Sequence, residues 1–125
     1  MSSSAGIIII GDEILSGRTK DTNINWIANE LNEIGIKLKE ARVIEDDKKT
    51  IINTVLEFSK KFTYVFTSGG IGPTHDDITT ESIATAFKVD LEKNKIAMNL
   101  LKKHYEKSNI DFNEARQKMA IIPKG

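Results

Sequence analysis

Four consecutive isoleucines, Ile7 to Ile10, stand near the start of the chain and are closed by Gly11. A β-branched run of this kind has no polar face, so it fits a strand covered on both sides. Coverage on both sides means a parallel sheet flanked by helices.

The segments that follow match that architecture. Asp21 or Thr22 can cap a helix whose Ile24, Ile27, Leu31 and Ile34 recur at helical spacing, and Gly35 supplies its left-handed stop. Ile36 to Ile44 alternates and reads as a second strand. Asp46 or Asp47 caps the next helix, with Ile51, Ile52, Val55, Leu56 and Ser59 on one face. Tyr64 to Phe66 form a third strand, and after a glycine loop Thr79 caps a short helix carrying Ile83, Ala84 and Phe87. A longer helix is expected from about Glu92 to Lys107, with Ile96, Ala97, Leu100 and Leu101 as its apolar residues. Asn113 to Lys118 reads as one or two further turns, followed by the apolar stretch Met119 to Ile122. Strands alternating with helices give an α/β fold built from right-handed crossovers.

Composition narrows the function classes. The 125 residues suit one domain, and charges of eighteen in each sign cancel, which removes the simplest case for a nucleic-acid partner or an acidic membrane. Without cysteine there is neither a disulfide scaffold nor a thiolate metal site. The opening MSSSAGIIIIGDE lacks a basic leader and its apolar run is far too short to span a membrane, so a cytoplasmic protein is expected.

Ligands of open α/β sheets bind beyond the carboxyl ends of the strands. Three loops occupy that edge: GDEILSG, IEDDK and TSGGIGPTHDD. All are rich in glycine or carboxylates. The third is no P-loop, since no Lys-Ser or Lys-Thr follows, and His75 stands where a dinucleotide fingerprint needs its third glycine. Amides at Gly69, Gly70 and Gly72 can form an anion nest, with hydroxyls from Thr67, Ser68 and Thr74 beside them. The alternative is that these glycines only relieve a tight strand-to-helix turn.

Asp76 and Asp77 fit either helix capping or a hard metal such as Mg²⁺, and Asp46 and Asp47 share that ambiguity. Two carboxylates beside a bound phosphate repel it unless a cation intervenes. Asp12 and Glu13 follow a buried strand with no evident capping duty, while Asn23 can donate to a ligand or face water. His75, His104 and the lysine-rich helix faces read as solvated, and Trp26 as a packing or subunit-contact residue.

GDEILSG with DTN, then VIEDD, then TSGGIGPTHDDITTE resembles the molybdopterin-binding domain family, from about Gly6 to Phe87. That family includes MoaB, MogA, the related domain of MoeA and gephyrin, and the amino-terminal domain of CinA, whose variant is the most similar. Ile71 in place of threonine favours the CinA-like branch. The resemblance implies a three-layer α/β/α sandwich with a mostly parallel sheet and a homo-oligomer. It implies a pterin or nucleotide held by its phosphates around Ser68, Gly69, Gly70, Gly72 and Thr74, with Asp12, Glu13 and Asn23 nearby.

Asp46 and Asp77 match the family's catalytic aspartates, and Asp76 and Asp77 are the implied ligands of Mg²⁺ or another divalent metal. Metal-dependent cleavage of a nucleotide pyrophosphate such as ADP-ribose is one activity associated with CinA-type domains. A non-catalytic assembly module is a third reading. The sequence stops at PKG, where family members continue, so a fragment or shortened member without the C-terminal part of the domain is expected, and the deamidase activity of full-length CinA proteins is not inferred.

Overall fold

The computed structural model describes residues 3–125. Strand β1 (Ser4–Ile10) is followed by a single helical turn, α1 (Asp12–Leu15), and by α2 (Asn23–Glu33). Next come β2 (Lys37–Ile44), α3 (Lys48–Lys61), β3 (Tyr64–Ser68) and α4 (Thr79–Phe87). The chain closes with β4 (Leu91–Lys93), α5 (Lys95–Ser108), α6 (Glu114–Gln117), a 3-10 turn at Lys118–Ala120 and β5 (Ile121–Pro123).

Strands β1 to β3 form a parallel sheet in the order β2-β1-β3, with the isoleucine strand in the middle. Every residue from Ala5 to Ile10 is buried, as its uniform apolarity requires. The first crossover steps from β1 to one edge and the second passes back over β1 to the other. Right-handedness then puts α2 and α3 on opposite faces, giving an α/β/α arrangement. Ile8 and Ile10 point to the α3 side, where they pack with Ile44, Ile51, Val55 and Phe58. Strand alternation sends Ile7 and Ile9 the other way.

Local chemistry explains the ends. Gly35 adopts φ 78° just after α2, and Asp47, not Asp46, caps α3 by accepting from the Thr50 amide. Asp21 accepts from Ile24 N and steadies the start of α2. Phe58 is fully buried and meets Phe62 edge-on at 5.2 Å. Both rings lie where a Cβ on Gly6 would sit, 2.6 Å from Phe62 and 2.8 Å from Phe58, so β1 must carry glycine there.

Several expectations are corrected. The inward face of α3 is Ile51, Thr54, Val55 and Phe58, whereas Ser59 is exposed. Thr79 does not cap α4; it is its first residue, and its hydroxyl donates to Gly69 O. Ile34 and Phe87 are exposed, not inward. Leu91–Lys93 is a strand instead of helix, pairing antiparallel with β5, and α5 starts only after the Asn94 cap. Among the described residues no helix is long and apolar enough to cross a membrane.

Candidate functional site

The carboxyl ends of β1, β2 and β3 bring the three loops to one edge, and strand order reverses beside β1, the place where open α/β sheets bind ligands. Gly11 continues β1 by donating to Ile44 O at 3.0 Å. The next two residues, Asp12 and Glu13, thereby enter the gap above the sheet. The Glu13 carboxylate folds back over the strand end, 2.6 Å from where a Cβ on Gly11 would sit.

Asp12 and Asp46 are joined reciprocally, each amide donating to the other's carboxylate, at 3.4 Å from Asp12 and 3.1 Å from Asp46. Burial raises the Asp46 carboxyl above its ordinary value; the Asp12 amide opposes this, and the charges of Asp12, Glu13 and Asp77 add to the rise. Asp12, Glu13, Arg18, Asp46, His75, Asp76 and Ile78 line one open cleft of about 390 Å³. Asp76 projects into solvent with His75 Nε2 3.3 Å from its Oδ1.

A second hollow, about 240 Å³, lies at the β1–β3 reversal and includes Glu13, Asn23, Ser68 and Gly69 in its lining. Asn23 Nδ2 donates to Ser68 Oγ at 2.6 Å, bridging the start of α2 to the end of β3. Glu13 borders both spaces.

The glycine loop is more self-contained than a free anion nest. A Cβ on Gly69 would lie 2.0 Å from Ile10 O, and one on Gly70 2.1 Å from Thr79 Oγ1. Both residues have positive φ, 98° and 68°. Tight passage past β1 and α4 therefore demands these two glycines, whatever the site binds. Farther on, the Asp77 carboxylate accepts from the Thr74 amide at 3.0 Å, from the Thr74 hydroxyl at 2.8 Å and from the Gly72 amide. Burial pushes the Asp77 carboxyl up, but these bonds and the Lys118 charge outweigh it and hold the carboxyl below its ordinary value.

The two catalytic expectations thus separate in space. Asp46 faces the large cleft, and Asp77 lines a small hollow of about 60 Å³ with Gly72, Glu81 and Lys118 among its neighbours. The Asp76–Asp77 pair expected to hold a metal is divided in the same way: Asp76 faces the cleft, and Asp77 binds its own loop.

A sequence model described as a probable molybdopterin binding domain matches residues 6–124. The chain belongs to this molybdopterin-binding domain family. It is 42% identical to a protein of Sulfurisphaera tokodaii over 97% of the chain and 46% of that protein. A Pyrococcus horikoshii protein is 41% identical over 97% of the chain and 51% of its own length. The chain therefore spans about half the length of the curated relatives it matches.

Among solved structures, the CinA protein of Thermoplasma acidophilum superposes with a TM-score of 0.82 at 36% identity, covering 98% of this chain and 71% of that one. MoaB of Pyrococcus furiosus, described as a tungsten cofactor synthesizing protein, gives 0.65 at 28% identity, covering 85% and 64%. The α/β fold with a parallel sheet is that of these molybdopterin-binding domains.

Three further residues shape this molybdopterin-binding domain site. Lys118 Nζ donates to Thr74 O and, at 2.9 Å, to Asp77 O, pinning the glycine loop from a position 41 residues away. Arg18 brings a fixed positive charge to the acidic cleft. The Thr79 hydroxyl donates to Gly69 O at 2.8 Å while its amide donates to Gly70 O at 3.1 Å. Only Arg18 had a cue, its place inside the loop that follows GDEILSG.

Proposed function

We propose that the chain binds a phosphate-bearing pterin or nucleotide, molybdopterin foremost, at the carboxyl edge of its parallel sheet, with a divalent cation between ligand and protein. One observation carries this reading: Asp12, Glu13, Asp46 and Asp76 line a single cleft with Arg18 as its fixed positive charge. Such a lining repels a bare phosphate and accepts one through a hard cation. The donors are all oxygens, the set that Mg²⁺ and similar ions prefer.

Among the described residues no three acidic or histidine side chains form a ready-made cation shell. Mg²⁺ characteristically takes its remaining ligands from phosphate and water, so the ion fits as part of the bound complex. Asp12 and Asp46 are the residues that would hold it, and Asn23 and Ser68 are the neutral polar groups available to the rest of the ligand. A cytoplasmic location, as expected from the sequence, suits such a ligand. The names of similar proteins, a MoaB that synthesizes tungsten cofactor among them, support the pterin class.

A second reading, hydrolysis of a nucleotide pyrophosphate such as ADP-ribose, is favoured by Asp46. Its carboxylate has a heightened affinity for protons and faces the open cleft, the arrangement of a general base. A bound divalent ion supplies Lewis-acid activation of phosphate and water. There Asp46, left free of the ion, would take the proton of the water that attacks phosphorus as the phosphoanhydride bond breaks and AMP leaves, and Asp12 fixes its orientation through the reciprocal bonds.

Calorimetry with molybdopterin, AMP and ADP-ribose, with and without Mg²⁺, tests both readings. Mg²⁺-dependent binding weakened at least tenfold by Asp12→Asn supports the first. Mg²⁺-dependent AMP release abolished by Asp46→Asn supports the second. Binding unaltered by Mg²⁺ and by both substitutions sinks the cation-bridged cleft.

A further inference from the structure

The two-stranded ribbon of β4 and β5 leaves β4 as an uncovered edge. Helix α4 lies against β5, whereas all three residues of β4 are exposed. Bonds from Lys124 N to Asp90 O and from Asn94 N to Ala120 O bracket the ribbon and fix its phase. With Leu91 opposite Pro123 and Lys93 opposite Ile121, alternation makes Glu92 and Ile122 the pair that exchanges bonds. Leu91 and Lys93 therefore aim their amides and carbonyls outward. Among the described residues no other backbone group takes them up. Pro123, which has no amide to give, stands at a position that asks for none.

Side chains of two kinds flank this edge. Leu91, 41% exposed, borders the small hollow beside the glycine loop together with Ile71 and Ile121. Lys93 and Lys95, with Met98 and Asn99, line an open hollow of about 360 Å³. Among the described residues neither ammonium group meets a carboxylate. The charge around them is one-sided as well. From Lys88 onward the chain has nine lysines and arginines against five acidic residues, while the preceding 87 residues have nine against thirteen.

We propose that this edge takes a third strand from another protein: an extended acidic segment that runs antiparallel to β4. Such a strand uses all four outward groups of Leu91 and Lys93. Its acidic residues meet Lys93 and Lys95, an apolar residue lies beside Leu91, and a basic residue between them faces Glu92. The alternating amides and carbonyls match a peptide backbone and not a phosphate chain. A second copy of β4 would set the lysines of both chains together, so the charge favours a different protein. This docking is independent of what the cleft binds.

Fluorescence anisotropy of labelled, capped synthetic peptides with the whole chain tests it. The first peptide carries glutamate, threonine, glutamate, lysine and valine in succession, and the second has lysines for the glutamates. A third is N-methylated at the second glutamate and the valine, whose amides would face β4; a fourth is N-methylated at the lysine, whose amide would face away. The first and fourth are expected to saturate with Kd below about 1 mM, and the second and third to bind at least tenfold more weakly. Lys93→Glu with Lys95→Glu reverses the preference between the first two, and circular dichroism confirms that this variant folds. Bound peptide slows hydrogen exchange at Leu91 and Lys93 and leaves Glu92, already bonded to Ile122, unchanged. No saturation by the first peptide, indifference to where the methyl groups stand, or protection elsewhere in the chain overturns the proposal. Tighter binding of a short single-stranded oligonucleotide, or copies that pair through this edge and resist the peptide, overturns it too.

Discussion

Asp12 and Asp46 hold each other by exchange, the amide of each residue donating to the carboxylate of the other at 3.4 and 3.1 Å. The pair locks the loop after β1 to the loop after β2 and sets two acidic groups against the same cleft. Each carboxylate keeps lone pairs free, so the clasp leaves both able to meet a cation.

Asp46 gives the first prediction. Because its folded-state carboxyl is raised, the native protein takes up a proton there more readily than the unfolded chain. The ionised form therefore costs stability at neutral pH, and the cost fades as pH falls through the raised value. Asp46→Asn, which keeps an acceptor for the Asp12 amide, is expected to be more stable than the parent at about pH 7. The gain disappears below 3.8, where the carboxyl is protonated in both states. Thermal melts between about pH 3 and pH 7 check this; an unchanged difference across the range would refute it.

Asp77 behaves oppositely. Its carboxyl is held low, so its contribution is fully present above the ordinary value of 3.8 and is lost as pH falls through the lowered one. Asp77→Ala strips the Gly72 and Thr74 amides of their acceptor and is expected to cost about 1–3 kcal/mol at neutral pH. Urea titrations should show that deficit shrinking in acid.

The glycine loop separates packing from permissive geometry. Gly69→Ala and Gly70→Ala combine left-handed strain with contacts of 2.0 Å to Ile10 O and 2.1 Å to Thr79 Oγ1. Each is expected to lose about 2–5 kcal/mol. Gly17→Ala, also at positive φ but facing open space, should lose only about 1–2 kcal/mol. Equal losses at the three positions, measured by chemical denaturation, would contradict the crowding argument.

Lys118 ties the C-terminal segment to the glycine loop. Lys118→Met keeps the aliphatic stem and removes the donors to Thr74 O and Asp77 O. A stability loss of about 1–3 kcal/mol is expected. Hydrogen exchange at residues 72–79 should quicken more than exchange within β1; uniform quickening would mean that the lysine serves the whole fold equally.

Much of the architecture was legible because it rests on near neighbours in the chain. Ile7–Ile10 could only be a strand covered twice, Gly35 could stop a helix, and the loops at the strand ends had to share an edge. That edge did gather Asp12, Glu13, Asp46 and Asp76. Misreadings arose where two local answers were equally good. Thr54 and Phe58 turned inward in place of Ser59 because the sheet, not the helix, chooses which side of α3 is buried. Leu91–Lys93 became a strand because β5, some thirty residues later, supplies its hydrogen bonds.

The sequence by itself determined the order of elements, the parallel sheet with its all-apolar central strand, and the three loops along one rim, since these follow from side-chain periodicity and backbone freedom. Only the tertiary structure decided that Asp46 faces the cleft while Asp77 satisfies its own loop, and that Lys118 reaches back to Thr74. Those outcomes are hydrogen bonds and charges acting through space between residues far apart in the chain, and no local pattern encodes the distance between them.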